Sequence, residues 1–152
     1  LRVIAVGKSS RDAAEAEIFA RYAARIKPAL ELLELPYGLG SPVEIKRREA
    51  AAILAVVDDR EFLVALDGGG SAPDSPDLAR LLTQWADTGK KISFVIGGAE
   101  GLDATIIKRA NAKLSLGKLT WPHMLVRAML AEQIFRAHMI QIGHPYHRSG
   151  RP

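Results

Sequence analysis

The sequence predicts an α/β fold, a mostly parallel sheet with helices on both faces. Three observations carry this prediction. Short apolar runs alternate with helical patterns along the whole chain, the signature of repeated strand–helix–strand units. Two of those runs, Phe62–Leu66 and Ile92–Ile96, are apolar almost throughout, as strands covered on both faces are. Each of the two is followed at once by a Gly-rich stretch, Asp67–Ser71 and Gly97–Gly101, which reads as a loop at the carboxyl end of a strand. The chain has 152 residues, no internal repeat and no dividing linker, so a single domain over 1–152 is expected.

Arg2–Gly7 is a β-rich run closed by a glycine. Arg11–Lys27 reads as a helix with Ala14, Ile18, Tyr22 and Ile26 on one face, ended by Pro28. Leu30–Leu35 is the second strand, ended by Pro36, and Tyr37–Pro42 is a Gly/Pro/Ser loop that could serve as a lid. Val43–Val57 is helical, with a charged first half. After the third strand, Asp74-Ser75-Pro76 supplies a cap residue and a proline for a helix running to about Thr88. After the fourth, Asp103 caps a helix through about Ala110. Leu114–Leu116 is a short fifth strand followed by the loop Gly117–Trp121. A long helix from Pro122 to Ile142 ends at Gly143 and leaves a tail, 144–152.

Composition excludes several classes. With no cysteine there is neither a disulfide framework nor a thiolate metal site, and the four histidines form no HExxH-type pair, so no metal is expected. No apolar run approaches the roughly 20 residues that span a bilayer, and Leu1–Gly7 reads as a strand rather than a secretory signal. The expectation is a cytoplasmic protein with no membrane partner. The net charge of +4 is unevenly placed. From Ala104 to Pro152 eight Lys and Arg face one acid, Glu132, so this third carries +7 and the first 103 residues −3. That asymmetry fits a polyanionic partner and equally fits a solvated basic face.

In an open parallel sheet ligands bind beyond the carboxyl ends of the strands. Asp67–Ser71, Gly97–Gly101 and Gly117–Trp121 all fall there. Glycines let backbone groups approach a ligand, although each loop taken alone could be no more than a tight turn. The phosphate-binding patterns GxxxxGK[ST] and GxGxxG are absent, as is the nucleophile elbow GxSxG, so ATP, NAD and serine-hydrolase chemistry are poorly supported. What remains is a cofactor held mainly by backbone groups, without a phosphate cradle.

Phe94-Val95-Ile96-Gly97-Gly98-Ala99-Glu100-Gly101-Leu102 resembles the signature of the RlmH family of SPOUT methyltransferases. So do Leu114 through His123, Leu125-Val126-Arg127, Glu132-Gln133, Phe135-Arg136-Ala137 and the ending His144-Pro145-Tyr146-His147-Arg148. Val6-Gly7-Lys8 and Leu66-Asp67 also match, so the resemblance covers the whole chain in order. It implies a SPOUT-type fold whose C-terminal part is threaded into a trefoil knot. It implies S-adenosylmethionine as cofactor and methylation of N3 of a pseudouridine in 23S ribosomal RNA of the assembled ribosome. It further implies a homodimer, with each cofactor site near the partner subunit.

Carried over, the cofactor-binding residues are Leu66, Gly97, Gly98, Leu116, Gly117, Lys118, Leu119, Thr120 and Trp121. Trp121 stands where a small or aliphatic residue is more usual. His144, Tyr146, His147 and Arg148 are candidates for handling the N3 proton or the resulting anion, and Arg127 and Arg148 for contacting RNA. His123 reads as capping or packing the helix start before facing the cofactor, and Glu100 as interacting with the N-terminus of the next helix. The wide apolar stripe of the long helix, including Met124, Leu125, Met129 and Met139, is ordinary core or partly a dimer interface. A non-catalytic RNA-binding module is the competing class. It explains the basic third but gives no reason for Gly-rich loops at strand ends, and cofactor binding separates the two.

Overall fold

The computed structural model describes residues 1–10 and 13–148. Arg11, the expected start of the first helix, and Arg151 of the basic tail lie outside the described residues. The elements in order are β1 (Arg2–Val6), α1 (Ala14–Ala23), β2 (Glu31–Leu35), α2 (Pro42–Val56), β3 (Phe62–Ser71), α3 (Ser75–Ala86), β4 (Ile92–Ile96), α4 (Ala104–Arg109), β5 (Ala112–Leu114) and α5 (His123–Gln141). The strands form one sheet in the order β2-β1-β4-β3-β5, and every pairing is parallel.

Alternation along the central strands explains why they read as continuously apolar. Val3 and Ala5 of β1, Val64 of β3, and Phe94 and Ile96 of β4 face one core with α1, α3 and α5. Ile4 and Val6, Leu63 and Ala65, and Val95 face the other, with α2 and α4. The connections β1→β2 and β3→β4 step one way along the sheet and carry α1 and α3; β2→β3 and β4→β5 step the other way and carry α2 and α4. Crossovers of one hand require this division. Its consequence is functional: the chain leaves β4 toward one face and β3 toward the other, which opens a crevice at their carboxyl ends.

Local chemistry sets most helix starts. Ser41 and Glu44 form a reciprocal capping box at α2, with Pro42 in the first turn. Asp74 accepts from the Asp77 N–H at 2.7 Å ahead of α3, and Asp103 from the Thr105 N–H at 2.8 Å ahead of α4. Capping at α4 thus falls to Asp103, while Glu100 is exposed in the preceding turn.

Two strand boundaries and the buried face of one helix differ from the sequence expectation. Asp67–Ser71 is not a free loop: β3 continues to Ser71, with a register irregularity between Leu66 and Ser71 opposite Leu114. Gly70 permits this, because a Cβ there would lie 2.7 Å from the Leu114 nitrogen. The fifth strand is Ala112–Leu114, earlier than Leu114–Leu116, since Ser115 Oγ bonds the Gly117 backbone and turns the chain. On α1 the buried face is Phe19, Ala23 and the following Ile26, while Ile18 is exposed; a strict spacing of four drifts around a helix of 3.6 residues per turn.

Candidate functional site

A crevice of about 320 Å³ opens beyond β3, β4 and β5. Its walls come from Leu66 at β3, Gly97 and Gly98 after β4, and Leu116 through Trp121 after β5, with His123 and Val126 of α5 closing one side. All nine residues assigned to the cofactor by resemblance therefore line one cavity.

The walls are built from backbone turns. After β4 the chain reverses so tightly that a Cβ on Gly97 would lie 2.9 Å from the Gly101 carbonyl carbon. After β5, Ser115 Oγ donates to the Gly117 carbonyl at 2.9 Å and accepts from the Gly117 N–H at 3.2 Å. Trp121 Nε1 then donates to the Leu116 carbonyl at 3.4 Å, folding the loop back on itself. Trp121 is thus a brace for the loop as well as part of the wall. Lys118 is the only Lys or Arg on the crevice wall among the described residues. The cavity therefore offers backbone donors and acceptors but no cluster of cations for phosphates.

Behind the Gly98 wall lies a buried carboxylate. Glu49 of α2 is 4% exposed, and a Cβ on Gly98 would come within 3.0 Å of both its oxygens. Glu49 Oε1 accepts from the Gly38 N–H at 3.1 Å. The neighbouring Tyr37 places its hydroxyl 2.8 Å from His123 Nε2. His123 makes no cap: the N-cap position of α5 is Pro122, without a side-chain hydrogen bond, and the imidazole faces the crevice. Burial lowers the His123 pKa below the ordinary histidine value, the Arg127 charge adds to that, and the Glu49 charge partly opposes it. The ring is accordingly neutral near pH 7.

Arg127 is not at an RNA-facing surface in this chain. It is 3% exposed, donates from Nη1 to Glu34 Oε1 at 2.7 Å, and from Nη2 to the carbonyls of Val6 and Gly7 at 2.6 and 2.8 Å. The expectation of an RNA contact fails because the side chain ties the start of α5 to the carboxyl ends of β1 and β2. Nothing in local spacing signals a partner so distant in sequence. The same limit hid Tyr37, Glu34 and Glu49, which are brought together only by the sheet order. Arg136 is also engaged, with Glu132 at 2.6 Å one helical turn away.

The tail residues stand apart from the crevice. Tyr146 donates to Glu132 Oε1 at 3.0 Å and packs edge-on against Phe135 at 4.9 Å. Burial first, then its hydrogen bonds to Tyr22 and Glu132, push the Tyr146 pKa upward. His144 Nδ1 accepts from the Tyr146 N–H at 3.1 Å, His147 is half-buried, and Arg148 is exposed. None of the four lines the crevice. Tyr146 docks at Glu132, nine residues beyond His123 on α5, or roughly 14 Å along the helix axis.

Among the described residues no group of acidic, His or Cys side chains could hold a metal, and no helix is long and apolar enough to cross a membrane. The family model described as "Predicted SPOUT methyltransferase" matches residues 1–147. The chain is 57% identical over 152 residues to "Ribosomal RNA large subunit methyltransferase H" of Acidiphilium cryptum, covering 100% of this chain and 96% of that one. It is 53% identical to the protein of the same name from Gluconacetobacter diazotrophicus, covering 100% and 99%. For that of Paramagnetospirillum magneticum the identity is 44%, covering 97% and 98%. With a family match over nearly the whole chain, and a crevice where strand-end loops meet, the chain belongs to the SPOUT methyltransferase family.

Proposed function

We propose that this protein methylates large-subunit ribosomal RNA with S-adenosylmethionine, at N3 of a pseudouridine in the 23S molecule of the assembled ribosome. The observation that carries this reading is the crevice: backbone turns from the ends of three adjacent strands, with one lysine and no phosphate cradle. Such a cavity suits a nucleoside cofactor that lacks phosphates and disfavours ATP or NAD. The wall leaves room for the group at Gly117, which has no atom within 4 Å of where a Cβ would stand, while Gly97 and Gly98 pack closely on Gly101 and Glu49. The names of the full-length relatives supply the RNA class.

When bound, the cofactor supplies an electrophilic methyl group on a sulfonium. This chain orients it: Gly97, Gly98 and Leu116–Trp121 hold the nucleoside portion through backbone groups, and Leu66 packs against it. Lys118, at the exposed rim, meets RNA phosphate. His144, Tyr146, His147 and Arg148 form the substrate-handling element, with Arg148 presenting positive charge to phosphate or to an anionic base. The tail lies away from its own crevice, and Leu119 at the crevice mouth is 72% exposed. Both features support a homodimer in which one copy's tail serves its partner's crevice, with Met124, Leu125 and Met129, half-buried in the single chain, at the interface. The C-terminal trefoil knot implied by the resemblance is part of the same proposal.

Titration calorimetry tests the cofactor. Saturable binding of S-adenosylmethionine or its demethylated product, with none for NAD, is the expected result. Absence of binding to all three favours the non-catalytic RNA-binding module.

A further inference from the structure

Where the segment after β2 meets the start of α5, three polar side chains converge that orienting the cofactor does not use. His123 forms part of the crevice wall. The Tyr37 hydroxyl sits 2.8 Å from its Nε2, and the two rings meet edge-on at 5.8 Å. The next residue, Gly38, gives its N–H to Glu49 Oε1, so one short segment holds both the imidazole and the carboxylate. Glu49 Oε2 is buried and, among the described residues, has no hydrogen-bond partner. A buried carboxylate oxygen without a donor is costly, and such a group calls for a compensating partner, which a positive charge nearby can be. The side chain within its electrostatic reach that can acquire one by taking a proton is His123.

We propose that His123 is the catalytic base of the methyl transfer, positioned by Tyr37 and assisted electrostatically by Glu49; this rests on the methyltransferase reading of the crevice. In the step, the imide N–H bond of the target base breaks and its electron pair forms the new N–CH₃ bond. The methyl–sulfur bond breaks with its pair retained by sulfur, leaving a neutral thioether. The proton passes to a ring nitrogen of His123, and the imidazolium, stabilised by Glu49, releases it to water.

The charged and titratable groups around the imidazole are few. Tyr37 faces it from the segment after β2, Glu49 from α2 and Arg127 from α5, with Arg127 itself committed to Glu34. Asp67 and Lys118 are the other ionisable residues of the wall. Burial and Arg127 keep the ring unprotonated and ready to accept, while Glu49 limits how far its basicity falls. His123 forms part of the wall of the chain's own crevice, whereas the tail histidines reach a crevice only in the proposed dimer.

The test uses the full chain, undermodified ribosomes and single-turnover rates measured across about pH 5 to 9. The wild-type rate is expected to fall on the acid side as His123 takes up a proton. His123→Gln is expected to lose about 100-fold or more in rate and to lose that acid limb, while its calorimetric S-adenosylmethionine affinity stays within about twofold. Glu49→Gln should move the acid limb to lower pH, because a negative charge that helps hold the proton is gone; a purely structural role would change amplitude and leave the midpoint in place. A His123→Gln protein with wild-type rate and profile overturns the assignment, as does one whose lost rate is matched by lost cofactor affinity. If the wild-type protein binds no S-adenosylmethionine, the cofactor reading itself fails. If it binds and the variant rates are unmoved, only the base assignment fails.

Discussion

Arg127 shows how far a single residue can depart from what its neighbourhood in sequence suggests. It stands in the basic third of the chain, yet its guanidinium is buried and joins α5 to Glu34 on β2 and to the last carbonyls of β1. Arg127→Met removes the counter-ion of Glu34 and leaves two strand-end carbonyls short of a donor. A loss of about 3–5 kcal/mol in urea unfolding is expected. Glu61 at the other end of the sheet is similar: it takes two hydrogen bonds from Arg2 at 2.7 and 2.8 Å and another from Ser93. In Glu34 and in Glu61 burial alone would raise the carboxyl pKa. The hydrogen bonds from Ser9 to the first, and from Ser93 and Arg2 to the second, outweigh it together with the adjacent arginine, so both are lowered. A depressed folded-state pKa stabilises the fold above the unfolded value of about 4.3 and loses that contribution as pH falls through the folded value. The thermal midpoint should therefore drop on acidification below about pH 4.5, and Glu61→Gln should make that drop shallower.

Among elements, the capped helix starts and the limits of β1, β2 and β4 were legible, and the ends of β3 and β5 were not. Capping is local chemistry, a side-chain oxygen meeting an N–H two or three residues on, and Asp74-Ser75-Pro76 and Asp103 announce α3 and α4 directly. Ser41, read as part of a loop, is recovered by its partner Glu44 three residues later. Asp74→Ala and Ser41→Ala should each cost about 1 kcal/mol in denaturant unfolding without altering cofactor binding. α5 has no such cap and is held by packing between α1 and α3, so its core residues matter more than its termini. Strand limits depend on a partner: Asp67–Ser71 carries loop chemistry, and only the register with β5 makes it strand.

For the whole molecule, the basic third offers fewer free charges than the sequence count implies. Arg127 and Arg136 are in ion pairs, and Arg109 donates to the carbonyls of Asp58, Asp59 and Glu61. Lys108, Lys113, Lys118 and Arg148 remain exposed. Ribosome affinity should weaken as salt rises, and Lys118→Ala should reduce the slope of log affinity against log salt by about one. An unchanged slope would remove Lys118 from the phosphate-contacting set. Light scattering should give twice the chain mass; a monomer at micromolar concentration would contradict the homodimer.

Periodicity and composition determined the α/β class, the parallel strands and the three strand-end segments where a ligand could sit, because these follow from burial patterns repeating over a few residues. Residue motifs, taken as a resemblance, named nine candidate cofactor residues, and the fold gathers those nine into one crevice. The tertiary structure alone decided which charges are spent inside the protein and which face the cavity. The strand order β2-β1-β4-β3-β5 sets Tyr37, Glu49, His123 and Arg127 beside one another at the sheet's carboxyl end. Contacts between residues this far apart in sequence leave no local pattern, since their energies depend on a neighbour that only the folded chain supplies.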